Sequence, residues 1–282
     1  MSHFEAVVAI DWSGAKGRRH KGIAIAEARG DDAPVLVRPG HIWSREEVLN
    51  WLLERAAEKP TLFGFDFSFA PPFAERGAYL PGEVGVPTDA RNFWAYVDKN
   101  SDDEDLGAAS FLERAHRRHF YFGIKDGVKA DFMHFRQCDQ RLNAMGGRKT
   151  ASAFDAIGAA QVAKASFSGM RLLHRIDGKV PIWPMDQLAG QRSAVAEIYT
   201  RIYLRNAGMS GKKLRNRTDL DQALAGLGSK PARLGFEPND HQTDALVTAA
   251  GMRAHADNPL AFAPVGLTIE LAQTEGWTFG II

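Results

Sequence analysis

The sequence predicts an α/β protein built on a mixed sheet whose first three strands form an antiparallel meander. Three observations carry this. "FEAVVAID" (4–11), "GIAIAEA" (22–28) and "PVLVRPG" (34–40) are short runs rich in Ala, Val and Ile. The loops between them are too short to hold the crossover helix that a parallel pair needs, so they pair antiparallel. Further strands, "TLFGFDFSFA" (61–70) and "SAVAEIYT" (193–200), alternate with helical segments, which is the α/β signature.

The elements follow in order. "SREEVLNWLLERAAEK" (44–59) is a helix: Ser44 caps it, Glu47 completes a capping box, and Val48, Trp51, Leu52 and Ala56 form one apolar stripe. Pro60 stops it, and Pro71-Pro72 ends the strand that follows. Residues 73–190 read as a mostly helical insertion within a single domain of residues 1–282. Its helical candidates are "NFWAYVDK", "SFLERAHRRHF", "FMHFRQCDQRLNAM" and "FDAIGAAQVAKASFSGMRLLHRI". "KNSDDEDLG" (99–107) between them reads as an exposed acidic linker. "DLDQALAGLG" (219–228) is a helix with a Gly stop. "DHQTDALVTAAGMRAHA" (240–256) is a strong Ala-rich helix with Asp240 as its cap. "GWTFGII" closes the chain as a short strand or a docked tail.

Composition bounds the function. The 282 residues suffice for a sizeable core. Thirty-five Lys and Arg balance 34 Asp and Glu, a formal net charge of +1, so charge alone does not argue for nucleic acid and any basic surface is local. The single cysteine, Cys138, excludes an intrachain disulfide and Cys-rich zinc sites; it reads as a small buried filler. The N-terminus lacks the features of a signal peptide and no window approaches a membrane span. These signs point to a cytoplasmic protein with no membrane partner.

Carboxylates recur at strand ends: Asp11 after "VVAI", Asp66 after "LFGF" and Glu197 after "AVA". Asp244 lies in the late helix, with His241 three positions earlier on the same face. A single Asp after a strand is most often a turn former. Glu197 alternates with Val195 and could face solvent, and Asp244 could complement the helix dipole. Taken together, carboxylates resist joint ionisation unless a cation sits among them. Mg2+ and similar hard ions take oxygen ligands, and two such ions can serve an in-line phosphoryl displacement.

"VVAIDWSGAKG", "LFGFDFSFAPP", "AVAEIYT" and "DHQTDALVTAAGMR" resemble, in order and spacing, the domain-of-unknown-function family 429, regarded as predicted nucleases of RNase H-like fold. "HQTDALVTAAGMR" also looks like the last helix of RuvC-type resolvases. The resemblance implies an RNase H-like mixed five-stranded sheet of order 3-2-1-4-5 flanked by helices, with Asp11 beside Asp66. It implies a final helix that presents Asp244 and His241 to the same spot, and Glu197 on the fifth strand. The family usually has Pro after the Glu-x-Tyr segment; this chain has Thr200.

The expected activity is metal-dependent phosphodiester hydrolysis of nucleic acid, DNA or RNA. Asp11, Asp66, Asp244 and Glu197 would bind Mg2+ or Mn2+, with His241 as an outer-shell or proton-transfer group. Three basic stretches are candidate phosphate contacts: Lys16, Arg18 and Arg19 behind Asp11; Arg148 and Lys149; and Lys212, Lys213 and Arg215 in "SGKKLRNR". Each could equally be a solvated loop. Trp12 and Phe69 could wall the site, Phe65 and Phe67 read as core, and "RQCDQR" (136–141) reads as a polar helix face. Two other classes compete. One is an ATP-binding phosphotransferase of actin and sugar-kinase type, which needs a second phosphate loop and a Gly-rich adenosine site that are not found here. The other is a non-catalytic binding module of the same fold.

Overall fold

The computed structural model describes residues 4–146, 149–158, 162–188, 190, 192–214 and 216–282. Its centre is one mixed sheet. The strands are β1 (Ala6–Asp11), β2 (Ala24–Ala28), β3 (Val35–Leu36), β4 (Thr61–Phe65), β5 (Ile182–Trp183) and β6 (Ala194–Glu197), in the spatial order β3-β2-β1-β4-β6-β5. The meander pairs antiparallel, and β1, β4, β6 and β5 run parallel. The expected five strands become six: β5, a two-residue strand inside the segment read as helical, adds an edge beside β6.

Several strands are shorter than their apolar runs. The expected strand 34–40 keeps only Val35–Leu36, because the backbone turns at Arg38, whose φ is +50°. The expected strand 61–70 stops at Phe65. The segment 193–200 leaves the sheet after Glu197 and enters a helix at Thr200.

The helices are α1 (Arg45–Glu58), α2 (Ala90–Lys99), α3 (Gln137–Ala144), α4 (Val162–Ile176), α5 (Thr200–Asn206), α6 (Arg217–Gly226), α7 (Asp240–His255), α8 (Pro259–Phe262) and α9 (Ile269–Thr274). The Ser44–Glu47 capping box forms on α1. On α7 the cap is Asn239, not Asp240: its side chain accepts from Gln242 N at 3.0 Å, and Gln242 Oε1 accepts in return from Asn239 N. The shift makes Asp240 the first helical residue, where its charge suits the helix dipole. No helix among the described residues is long and apolar enough to cross a membrane.

The sheet is buried on both faces, which explains the near-continuous apolar strands. Along β1 the residues divide by period two. Val8 and Ile10 join Phe63, Phe65 and Val195 in a core shared with Val48, Trp94, Phe111 and Phe167. Val7 and Ala9 join Leu62 and Ala196 in a second core shared with Tyr203, Leu246, Val247 and Met252. One face is thus covered by α1, α2 and α4, the other by α5 and α7. Phe93, Trp94, Phe111, Phe120, Phe154 and Phe167 of 73–190 belong to the first core and Trp183 to the second, so this segment is continuous with the sheet rather than set apart from it.

The acidic segment 99–107 is exposed at Lys99, Asn100, Asp102 and Glu104, but it turns inward near its end. Asp105 and Leu106 are buried, with φ of +48° and +54°. The Asp105 carboxylate accepts from the backbone of Arg45 and Glu46 at 3.0 Å and meets His20 Nε2 at 2.9 Å. Arg45, itself fully buried, donates to Asp105 O at 3.0 Å, Ser13 O at 2.9 Å and Ala15 O at 2.5 Å. Burial pulls the Arg45 guanidinium down to about 10. Asp105 is therefore internal because one buried cation and two helix-start N–H groups require its oxygens.

The loop after β1 is pinned from a second side. A Cβ on Gly14 would lie 2.2 Å from Ala165 N and 2.3 Å from the Lys164 carbonyl carbon of α4. The opposing atoms are backbone and cannot rotate away. Gly14→Ala is expected to cost about 1–3 kcal/mol, the range for overpacking, read by urea denaturation; an unchanged midpoint would show that the loop does not sit on α4.

Candidate functional site

β1 and β4 pair in parallel with Ile10 opposite Phe65, so the next residue of each chain, Asp11 and Asp66, leaves the sheet side by side. The Asp66 N–H donates to Ile10 O at 3.1 Å, which extends the pairing by one step. Ile10 and Phe65 face the α1 side; by alternation Asp11 and Asp66 face α7. There α7 crosses the strands closely. A Cβ on Gly64 would stand 2.5 Å from Met252 Sδ, and one on Gly251 would stand 2.3 Å from the Tyr203 ring.

Helix α7 brings His241 and Asp244. His241 Nδ1 and Asp11 Oδ2 are 2.6 Å apart, with 50% and 13% of the side chains exposed. Thr200, at the start of α5, donates toward Asp66 Oδ2 at 3.4 Å and shares a 2.8 Å hydrogen bond with Thr248. A proline at position 200 would supply neither contact.

The electrostatics are those of crowded anions. Burial raises the Asp11 carboxyl, opposed by its bond to His241. Burial also pushes Asp66 well above the usual carboxylate range, and Asp11, Asp244 and Glu197 add to it. Asp244 is pushed up to about 7 by burial and then by Asp11. His241 is raised, chiefly by its bond to Asp11. The three carboxylates hold protons more tightly than in water chiefly because they are buried, with neighbouring carboxylates adding to the effect on Asp66 and Asp244, and the histidine does so chiefly through its bond to Asp11.

Glu197 stands apart from this group. Its register partner is Phe65, not Asp66, so alternation turns it to the opposite face. Arg136 donates to both of its oxygens, at 2.5 and 2.6 Å; Phe69 N and Thr278 Oγ1 donate at 2.8 and 2.6 Å. The expectation of Glu197 as a metal ligand and catalytic group meets a carboxylate whose acceptor sites are taken by protein donors. "RQCDQR" is likewise not simply a polar face: Arg136 is buried and locks α3 to β6, helped by Asp139. The closing tail docks here, with Phe279 N donating to Glu197 O at 2.8 Å. Trp12 and Phe69 are core residues, not walls of the site, and Trp12 Nε1 donates to Ser168 at 2.9 Å.

The basic stretches separate. Lys16 pairs with Glu113 at 2.7 Å, Arg18 with Glu104 at 2.6 Å and Arg19 with Glu47 at 2.5 Å. Lys213 pairs with Asp240 at 3.3 Å. Lys149 and Lys212 are exposed; Arg148 and Arg215 lie outside the described residues.

By donor type, Asp11, Asp66 and Asp244 with His241 suit a hard divalent cation such as Mg2+ or Mn2+. The excess of anionic over cationic groups is the condition such an ion relieves. Among the described residues, however, no group of three or more His, Cys, Asp or Glu side chains is disposed to hold a metal ion. Asp11 spends one oxygen on His241, and the other carboxylates repel one another. The donors fit in charge and chemistry without being closed around a common point.

Comparison with protein-family models, with curated proteins and with solved structures finds no match.

Two measurements check this description. Arg136→Gln is expected to cost about 3–5 kcal/mol in chemical denaturation, because it strands a buried carboxylate; a loss below 1 kcal/mol would show that Glu197 is solvated. The second concerns pH. Asp244 holds its proton to about pH 7 when folded and to about 3.8 otherwise. Its contribution to stability is therefore full below pH 4 and lost as pH rises through 7. The unfolding temperature of cation-free wild type, minus that of Asp244→Asn, should fall between pH 5 and 8; a difference that rises would contradict the raised value.

Proposed function

We propose that the protein is a metal-dependent hydrolase of nucleic-acid phosphodiester bonds. The observation that carries this reading is the convergence of Asp11 and Asp66, at the ends of adjacent parallel strands, with Asp244 of α7, each within the field of the others.

Asp11, Asp66 and Asp244 would hold Mg2+ or Mn2+. When bound, the cations supply ionisation of a water at neutral pH and neutralisation of the charge on the leaving oxygen. The chain's own groups do the rest. Asp11 and Asp66 are fixed in direction by the paired strands beneath them, and Thr200 orients Asp66. Glu197 serves this site at one remove, as the anchor that holds β6 against α3 and the tail. His241 offers Nδ1 to Asp11, which leaves Nε2 free to exchange a proton with a reacting oxygen or with water. Its half-exposed ring suits that exchange.

Asp11→Asn keeps size and removes charge. It is expected to fold with an unchanged circular dichroism spectrum and to lose Mg2+- or Mn2+-dependent cleavage of DNA and RNA substrates. Undiminished cleavage by the folded variant would overturn the assignment. Mn2+ should raise the unfolding temperature of the wild type at pH 7.5 more than that of Asp11→Asn; equal shifts would place the cation elsewhere.

A further inference from the structure

Three of the loop cations behind Asp11, Lys16, Arg18 and Arg19, are held in ion pairs, so a cation closer to the carboxylates is the better candidate to meet the substrate. Directly after Thr200, which touches Asp66, comes Arg201. It is half-buried, and among the described residues its side chain makes no hydrogen bond or ion pair. Its charge reaches the site, since it counts among the groups that hold the Asp244 carboxyl down. It lies too far from Asp244 for a salt bridge. Its N–H donors are not among the buried atoms left without a partner, so they reach solvent, and the guanidinium offers five donors to an arriving acceptor.

Arg201 lines a cavity of about 20 Å3 together with Tyr199, Arg205, Gly146, Ser210 and Gly211. The charged lining residues are the two arginines; no carboxylate is among them. Arg205, one turn on, is engaged with Met145 O at 2.5 Å, so Arg201 is the arginine left to act. The volume admits one water or one phosphate oxygen and excludes a base. Its two lining glycines come from two separate basic stretches. Gly146 leads toward Lys149, and Gly211 precedes Lys212. Two cationic segments remote in sequence thus border one small cavity on the α5 side of the carboxylates.

We infer that Arg201 is a substrate-positioning residue that binds a backbone phosphate of the nucleic-acid strand beside the one cleaved, with Lys149 and Lys212 flanking the path of the strand. The inference rests on the nucleic-acid reading above and deepens it. It places the strand over α5, away from the ion-paired loop behind Asp11. Arginine suits this role because its planar fork can give two parallel N–H bonds to one phosphate.

The test uses the full chain carrying Asp11→Asn, in chelator, so that binding is read without cleavage. The probes are a fluorescein-labelled single-stranded DNA of mixed sequence and the RNA of the same sequence, followed by anisotropy across a salt series. Adding Arg201→Gln is expected to weaken binding about tenfold or more, as for a charged hydrogen bond. It should also make the slope of log K against log salt shallower by about 0.7. Arg201→Lys should recover the slope and part of the affinity. Arg253→Gln, an equal loss of charge on the far part of α7, should change neither. Equal affinity and equal slope with and without Arg201 overturn the inference, as does failure of both probes to bind the parent. Matching losses in Arg201→Gln and Arg253→Gln overturn it too, since that is a net-charge effect. Cleavage is read separately with Asp11 restored and Mn2+ present. If binding depends on Arg201 but nothing is cleaved, the hydrolase reading fails and the phosphate contact stands.

Discussion

Repulsion among the carboxylates at the C-terminal edge of the sheet is the constraint around which this protein is arranged. Parallel pairing of β1 with β4 forces Asp11 and Asp66 into adjacent positions, and packing of α7 on the same face adds Asp244. Unrelieved charge in a half-buried setting is costly. The fold answers with protons, with His241 on Asp11, and with the longer-range charge of Arg201. Each of these is a partial counter-charge, and none closes the site.

The rest of the chain supplies stiffness. Arg45 clamps the loop behind Asp11 to the acidic segment at Asp105, and α4 fills the space above Gly14. On the other side, Arg136 and Glu197 join α3, β6 and the tail. Glu275 strengthens that junction by accepting from Phe73, Ala74 and Gln137 backbone N–H groups at 2.7 to 2.9 Å. Two buried arginine–carboxylate nodes thus flank the carboxylate edge, and each ties residues 73–190 to the sheet. The segment that interrupts the strand order braces the site on both sides.

Local pattern carried much of this. The meander, α1 with its capping box, and the positions of Asp11 and Asp66 at strand ends and of Asp244 and His241 in a late helix follow from apolar periodicity; that these residues meet is implied by the resemblance alone. What the pattern missed shares one cause. Arg136, Arg45 and Asp105 are polar residues in polar stretches, and their burial depends on partners 60 or more positions away. Nothing in their own neighbourhoods signals it. Glu197 is a related case: a strand-end carboxylate shows which face it takes only through the register of its strand. Knowing that Phe65 stands opposite Glu197 turns the same residue from candidate ligand to structural anchor. Arg201 hid for another reason. It sits in an ordinary helix start, and only the empty space beside it and the absence of a partner among the described residues set it apart.

The ion pairs on the loop behind Asp11 have a consequence for how charge is exchanged there. Lys16, Arg18 and Arg19 each hold a carboxylate that belongs to the same chain. A free basic loop releases mobile salt ions into bulk solution when a polyanion arrives, and gains their entropy of dilution. This loop would release tethered glutamates instead, which stay within a few ångströms and compete to return. These glutamates act as covalently attached counterions, so Lys16, Arg18 and Arg19 attract polyanions less, and respond to ionic strength less, than three unpaired cations would.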